Sequence, residues 1–267
     1  MAVEFKIEAQ RGEMPVLQFC TPAQLRIDPS YQRSTDAQAS RTLINRITRK
    51  WDWRLYQPLV VARRADGGLY VVDGQHRLEA ARQRADIAQL PCVITAYDGA
   101  QEEAAAFVEL NQARKPLSQL NLFKAAVAAG DPDAALIQSI VETAGFRLTG
   151  AADRNAWKPG WIDNIVSVRH CHRQHGDRVL RLALEAIGKA FEGQVLRYCG
   201  SIFSATYPVV AAAGANYSPL LMIDILRDAD QAGWIARFRV SAAERGVSVA
   251  IAARELLGTA YAEATAE

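Results

Sequence analysis

The sequence contains no apolar run that approaches the ~20 residues of a membrane-spanning helix. Its first residues, "MAVEFKIEAQRGEM", also lack the apolar core of a secretory signal peptide. Only four cysteines are present, and they are scattered without any Cys-x-x-Cys spacing. In a chain of 267 residues this pattern is typical of reduced thiols. Together these absences predict a cytoplasmic protein with no membrane partner.

The chain also lacks a large excess of positive or negative charge. The 31 basic and 29 acidic side chains leave a formal net charge of +2, so any affinity for nucleic acid has to come from local patches. Half of the residues are apolar, which is ordinary for a globular protein. The length is sufficient for two domains, because a domain usually takes ~100–200 residues.

Secondary-structure signals divide the chain into two parts. The β-branched runs "PLVVARR" and "LYVVD" are separated by Ala65–Gly68, which predicts a β-hairpin. The rest of the first part alternates helix and strand patterns, whereas the second part has helical periodicity, with most helices ending near a glycine. We therefore predict an α+β fold, in which a domain with a small mixed sheet (residues 1–126) precedes an all-helical domain (residues 127–267).

The most informative stretch is "LYVVDGQHRLEAA", Leu69 to Ala81, in which a predicted strand, a glycine and a predicted helix follow one another. Gly74 can adopt a positive φ, and the first amides of the helix lack intrahelical partners, so the turn can bind an anion such as phosphate. The planar guanidinium of Arg77 can donate two parallel hydrogen bonds to phosphate oxygens. Asp73 can bind a metal ion or accept a hydroxyl proton. The alternative is structural: Asp73 caps the helix, and Arg77 and Glu79 are solvated.

The order of motifs around this turn resembles that of the N-terminal domain of the ParB/sulfiredoxin superfamily. The resemblance covers roughly Val16 to Ala126. In ParB proteins the central motif is a glycine, an acid and two arginines before a helix, and here Asp73–Arg77 is a DGQHR variant of it. An early Gln-Pro-Arg-like segment is matched by Tyr31–Arg33, and a later Glu-Asn-x-x-Arg segment by Leu110–Arg114. The three motifs occur in the family's order, which implies the family's fold.

Members of this superfamily bind a nucleotide at the turn, which is CTP in ParB and ATP or ADP in sulfiredoxin and the related free-serine kinases. The resemblance therefore implies CTP or ATP as the cofactor, with Mg²⁺, and DNA as a partner. A homodimer is among the assemblies that it implies. The nucleotide-binding residues that it implies are Gln32, Arg33, Gly74, Gln75, His76, Arg77, Asn111 and Arg114. Asn111 would contact a phosphate or a metal ion, and Asp73 is the candidate catalytic residue.

The sequence also departs from the patterns of the superfamily. Gln75 occupies the position of the reactive cysteine of sulfiredoxin, so repair of cysteine sulfinic acid is not expected. The free-serine kinases have a histidine where this chain has Gln75, so the motif does not support phosphorylation of an amino acid. The glutamate that precedes the asparagine in ParB is Leu110 here, with Glu109 one residue earlier. On a helix that offset turns the carboxylate by ~100°, which argues against Mg²⁺-dependent hydrolysis of the ParB kind.

A basic segment precedes the predicted hairpin. Between Ser40 and Arg64, arginines and lysines are interleaved with aromatic residues, and Asp52 is the only acid. Basic residues next to stacking aromatics are typical of nucleic-acid binding. The residues that would contact phosphates are Arg46, Arg49 and Lys50, and the neighbouring aromatics are Trp51, Trp53 and Tyr56. The alternative is an amphipathic helix with a solvated basic face and buried tryptophans.

A histidine-rich segment, "RHCHRQHG", lies in the second half of the chain. Cys171 and His175 are four residues apart, which is a spacing that zinc ligands use on a helix. The sequence contains no second ligand pair to complete a tetrahedral site, because every histidine except His76 lies in this segment. We therefore predict the basic end of a helix and no metal site.

These observations favour a ParB-like nucleotide-binding protein, with slow hydrolysis of a triphosphate coupled to association with DNA. Three alternatives remain at the level of the sequence. The first is a nuclease, although the chain has no evident pair of carboxylates for a metal site. The second is a small-molecule kinase with Asp73 as its base. The third is a DNA-binding or protein-binding module whose turn binds no nucleotide.

Overall fold

The computed structural model describes residues 9–30, 32, 37–112 and 116–266, with the side chains of residues 100, 111 and 112 excepted. The chain divides into two compact units, Met1–Pro116 and Leu117–Glu267. The boundary expected from the sequence was after Ala126. That position lies inside a helix, Gln119–Ala128, which packs within the second unit.

The first unit is built around a five-stranded mixed sheet. Its strands are β1 (Val16–Cys20), β2 (Leu25–Arg26), β3 (Leu59–Arg63), β4 (Leu69–Asp73) and β5 (Leu90–Ala96). The spatial order is β1-β5-β3-β4-β2, in which the β1–β5 and β3–β4 pairs are antiparallel and the β3–β5 and β2–β4 pairs are parallel. The predicted α+β class with a small mixed sheet is confirmed.

The hairpin between β3 and β4 forms where the sequence predicts it. Gly67 has φ +76°, a conformation that glycine adopts without steric cost, and the Arg64 amide donates to the Gly68 carbonyl at 3.0 Å. Val61 on β3 and Val71 on β4 lie opposite each other and are fully buried. The hairpin therefore places β4 beside β3, the central strand of the sheet.

Among the described residues of this unit, three α-helices accompany the sheet, of which two pack against its strands and one packs against another helix. They are α1 (Gln38–Arg49), α2 (Gln75–Arg82) and α3 (Ala100–Gln112). Helix α2 packs against β3 and α1, and α3 packs against β4. On α2, Leu78 and Ala81 are buried, as is Ile44 on α1. The buried side chains fix the helix that begins at Gly74 against the sheet.

The second unit is helical apart from one small sheet. Its helices are α4 (Gln119–Ala128), α5 (Pro132–Thr143), α6 (Ile165–Ala190), α7 (Cys199–Ala213), α8 (Pro219–Arg227), α9 (Gln231–Arg245) and α10 (Val249–Ala266). Two parallel strands of two residues each, β6 (Arg147–Leu148) and β7 (Trp161–Ile162), are an addition to the predicted helices. Strands this short have no periodicity that a sequence could show. Among the described residues, no helix is long and apolar enough to cross a membrane.

Candidate functional site

The candidate site begins where β4 ends. Gly74 has φ +104° and ψ 19°, and its carbonyl accepts from the amides of Arg77 (2.9 Å) and Leu78 (3.0 Å), which starts α2. A Cβ atom at Gly74 would overlap Leu59 Cδ2 and would lie 2.8 Å from Arg77 Nη2. Only glycine satisfies both the backbone conformation and the space available at this turn.

Two backbone amides at the start of α2 are available to a ligand. Within the described part of the chain, the N–H groups of Gln75 and His76 have no hydrogen-bond acceptor, and neither do the two side chains. Such amides lie at the positive end of the helix dipole and favour an anion. The turn therefore has the donors that the sequence-based interpretation requires.

The side chain of Arg77 folds back over the turn. Its Nη2 lies 3.1 Å from Asp73 Oδ2, and its Nη1 donates to the Gln57 carbonyl. The side chains of Arg77 and Asp73 are only 17% and 12% exposed. The structural alternative considered above is therefore wrong on two points: Arg77 is not solvated, and α2 has no side-chain cap from Asp73.

Gln32 contributes a buried acceptor next to the turn. The residue is 7% exposed, and its Nε2 donates to the Val71 carbonyl of β4. Its Oε1 is buried and has no hydrogen-bond partner among the described residues. A buried acceptor left unpaired costs about 1–3 kcal/mol, which a donor on a bound ligand would recover.

These groups line one cavity of about 500 Å³ in the first unit. The volume is in the range of small-molecule sites. The residues around it are Gln32, Leu43, Ile47, Leu55, Gln57, Val72, Asp73, Gly74, Gln75, His76, Arg77 and Phe107. The turn forms the polar end of the cavity, and apolar side chains of α1 and its following loop form another wall.

The structure thus brings together six of the residues that the sequence singled out. They are Gln32, Asp73, Gly74, Gln75, His76 and Arg77. Arg33, Arg114 and the side chain of Asn111 lie outside the described residues, so their proposed roles remain predictions.

The apolar wall was missed by sequence reasoning. Leu43 and Ile47 are four residues apart on one face of α1, a spacing that also fits a helix that merely packs against a core. The position of Phe107 on α3 likewise fits both a side chain that packs against a core and one that lines a cavity. No signal in the sequence distinguishes a side chain that lines a cavity from one that fills it.

A second cavity, of about 400 Å³, lies beside the first. It is lined by Arg46, Ile47, Lys50, Trp51, Asp52, Leu55, Tyr56 and Arg77. The aromatic residues Trp51, Trp53 and Tyr56 form a cluster, with ring centroids 5.2–5.4 Å apart. Within it Trp53 is 51% exposed, whereas Trp51 Nε1 and Tyr56 Oη are buried. The cluster is therefore partly core and partly surface.

The basic residues at the end of α1 are on the surface. Arg46, Arg49 and Lys50 are exposed, and none has an ion-pair partner among the residues that the structure describes. Their charges lie in or just after the last turn of α1, where they also complement the helix dipole.

The histidine-rich segment lies in the middle of α6. Gly176, at the predicted helix end, has φ +76° and marks a kink within the longer helix. His172 Nε2 lies 2.8 Å from Asp177 Oδ1, and the rings of His170 and His175 lie beside Tyr207. Over the described ranges, no group of three or more histidine, cysteine or acidic residues could hold a metal ion.

All four cysteines are free and buried. Burial raises the pKa of the thiols of Cys92, Cys171 and Cys199 to about 12. Since the thiolate is the reactive form, these groups are unreactive at neutral pH.

The resemblance implies that the cavity at the turn binds a nucleotide, and we expect single Cys→Ser variants to keep any such binding, because no thiol lines this cavity. The folded protein should also react only slowly with iodoacetamide at pH 7.5, and fully after denaturation. Mass spectrometry of the alkylated protein checks this. Fast labelling of one cysteine in the folded protein would contradict its burial. Folding of Cys92→Ser must be verified first, since Cys92 is a buried residue of β5.

Comparison with known proteins gives a family and a set of distant structures. A family model described as "Family of unknown function (DUF6551)" matches residues 28–245. No curated protein matches the chain significantly.

Three of the similar solved structures are of ParB proteins or domains. The C-terminally truncated chromosome-partitioning protein ParB from Caulobacter crescentus, complexed with CTP-gamma-S, has 17% identity and a TM-score of 0.36, over 79% of this chain and 98% of that one. The same protein complexed to the centromeric parS site has 17% identity and a TM-score of 0.29, over 90% and 98%. A Pnob8-like ParB-N domain has 13% identity and a TM-score of 0.30, over 80% and 90%.

Proposed function

The chain belongs to DUF6551, a family of unknown function, and from that starting point we propose that its first unit binds a nucleoside triphosphate at the Gly74 turn. The observation that carries the proposal is the pair of unpaired amides, Gln75 and His76, at a helix start where only glycine fits. The motif order that resembles ParB and sulfiredoxin supports the same ligand. CTP and ATP are both candidates.

Each part of the cavity has a role in this proposal. The amides of Gln75 and His76 donate to phosphate oxygens, and the dipole of α2 adds attraction for their charge. Arg77 adds its positive charge from the side of the turn while it remains paired with Asp73. Gln32 Oε1 accepts from a hydroxyl or amino group of the ligand. The apolar wall of α1 covers the less polar part of the nucleotide.

A Mg²⁺ ion would accompany the phosphates. Among the described residues that line the cavity, Asp73 supplies a carboxylate, and Gln32, Gln57 and Gln75 have amide oxygens. Magnesium usually takes one or two carboxylates together with substrate phosphates. Asp73 is already held by Arg77. We therefore propose binding as the primary activity and slow hydrolysis of the triphosphate as a secondary one.

The kinase alternative has one structural observation in its favour, because Asp73 lines the same cavity as the proposed phosphate site. A carboxylate there could accept the proton of an attacking hydroxyl. Incubation with labelled ATP and free amino acids distinguishes this alternative, since it alone yields a phosphorylated small molecule.

A screen of thermal unfolding against the four NTPs, with and without Mg²⁺, tests the proposal. A ligand at about 100 times its Kd should stabilise the native state by ~2.7 kcal/mol, which shifts the melting temperature by several degrees. Titration calorimetry then measures the affinity of the best nucleotide. If none of the triphosphates or diphosphates binds, the proposed function is wrong.

We further propose that the exposed basic end of α1 binds DNA. Arg46, Arg49 and Lys50 are positive charges available to phosphates, and exposed Trp53 is a nearby surface for stacking.

Replacing Arg46, Arg49 and Lys50 together with alanine should weaken DNA binding. The slope of log affinity against log salt should become shallower by about 2–3, because each lost phosphate contact removes close to one unit. Fluorescence anisotropy at several salt concentrations measures the slope. Arg41→Ala, an exposed arginine near the other end of α1, is the control and should leave the slope unchanged. An unchanged slope in the triple variant would assign these residues to a solvated helix face.

A further inference from the structure

Arg64, at the end of β3, is hydrogen-bonded to two carboxylates from separate parts of the first unit. Its Nε and Nη2 donate to the two oxygens of Glu103 at 2.8 and 2.6 Å. Nη2 also donates to Asp28 Oδ2 at 2.6 Å. The guanidinium lies over the ring of Tyr70, 3.7 Å from its centroid. One side chain therefore connects the hairpin, helix α3 and the loop that follows β2.

Each of these carboxylates lies one turn away from a residue of the candidate cavity. The amide of Gln32 donates to the Asp28 carbonyl at 3.3 Å. Phe107 follows Glu103 by four residues on α3, and so lies on the same face of that helix. Gln32 and Phe107 both line the cavity. Two residues that line the cavity, Gln32 and Phe107, therefore lie close in the chain to carboxylates that bind the same guanidinium.

The ion pairs of Arg64 are largely shielded from solvent. The side chain of Glu103 is 1% exposed, and a buried carboxylate is tolerated only when it is paired. The Glu103 carboxylate raises the pKa of Arg64, since it accepts the N–H groups of the protonated guanidinium. Hydrogen bonds from the Ser30 hydroxyl and then from Arg64 lower the pKa of Asp28 to about 2. Arg64 and Asp28 therefore remain charged near neutral pH.

We propose that Arg64 is a positioning residue of the nucleotide site, which holds α3, Asp28 and Gln32 against the hairpin so that Phe107 and Gln32 meet the ligand in one arrangement. The inference rests on the proposed function for its ligand. The placement of α3, however, is a property of the ligand-free protein and can be measured separately.

The experiment compares Glu103→Gln and Arg64→Lys with the wild type. Glu103→Gln keeps the shape of the side chain and removes its charge. Arg64→Lys keeps the charge and loses the planar fork that serves two carboxylates. Asp86→Asn is the control for removing a carboxylate charge, because Asp86 pairs with Arg84 (2.5 Å) at the surface of the same unit and neither residue lines this cavity. Hydrogen–deuterium exchange of the ligand-free proteins and calorimetry with the best nucleotide are the two measurements.

We expect both variants to exchange faster in α3 than the wild type, with no change in β3. Nucleotide affinity should fall roughly tenfold in Glu103→Gln, and less in Arg64→Lys. The Asp86→Asn control should match the wild type in both measurements. Unchanged exchange in α3 would overturn the proposal. Faster exchange throughout the unit would overturn it too, because it would assign Arg64 to general stability.

The outcome for the wild type separates the two proposals. A wild-type protein that binds no nucleotide contradicts the proposed function. Faster exchange confined to α3 in Glu103→Gln would even then support the positioning of that helix by Arg64.

Discussion

A Gly74→Ala variant is expected to lose nucleotide binding and about 2–4 kcal/mol of stability in its first unit. An alanine at φ +104° is strained, and its Cβ would overlap Leu59 Cδ2 and lie 2.8 Å from Arg77 Nη2. Relief of that overlap has to move either a core side chain of β3 or the guanidinium over the turn. A turn that relaxes away from the positive φ of Gly74 would also redirect the amides of Gln75 and His76.

Gly67→Ala is the matched control for this prediction. Gly67 also has a positive φ of +76°, but no described atom outside its chain neighbours lies within 4 Å of an added Cβ. The Gly67→Ala variant should lose only about 1–2 kcal/mol of stability, which is the penalty of the left-handed conformation alone. Its nucleotide affinity should be unchanged. Urea unfolding and calorimetry measure both quantities. Equal stability of the two variants would show that the turn adapts to a side chain, contrary to the crowding described above.

An Arg77→Ala variant should show two separable losses. Nucleotide affinity should fall tenfold to a hundredfold, because a charge-assisted hydrogen bond to phosphate contributes ~1.5–3 kcal/mol. Stability should fall by about 1–3 kcal/mol, since Asp73, which is 12% exposed, loses this partner and the Gln57 carbonyl loses its donor.

The double variant Arg77→Ala, Asp73→Asn separates the two effects. Neutralising Asp73 removes the carboxylate that Arg77 compensated, so stability should recover in part while affinity stays low. Arg77→Lys should keep some affinity, because the charge is retained, but it cannot reproduce the two directional bonds of the guanidinium. Wild-type affinity in the double variant would exclude Arg77 from ligand binding and leave it a structural role only.

Local features of this protein were determined by its sequence alone. The β-branched runs and the glycines between them specify the β3–β4 hairpin, because strand propensity and positive φ are properties of a few adjacent residues. Gly74 after a strand and before an alanine-rich helix specifies the turn for the same reason. The helical character of the second unit follows from periodicity, although its two short strands do not.

Contacts between distant parts of the chain were decided only by the tertiary structure. Asp73 and Arg77 are visible in the sequence, but their pairing and the bond to Gln57 depend on how the helix start packs on β3. The unpaired oxygen of Gln32 has no counterpart in any sequence pattern. Arg64 meets Asp28 and Glu103 although 36 and 39 residues separate them. Hydrogen bonds and ion pairs require atoms within about 3 Å, and only the packing of α3, the hairpin and the loop after β2 brings these groups that close.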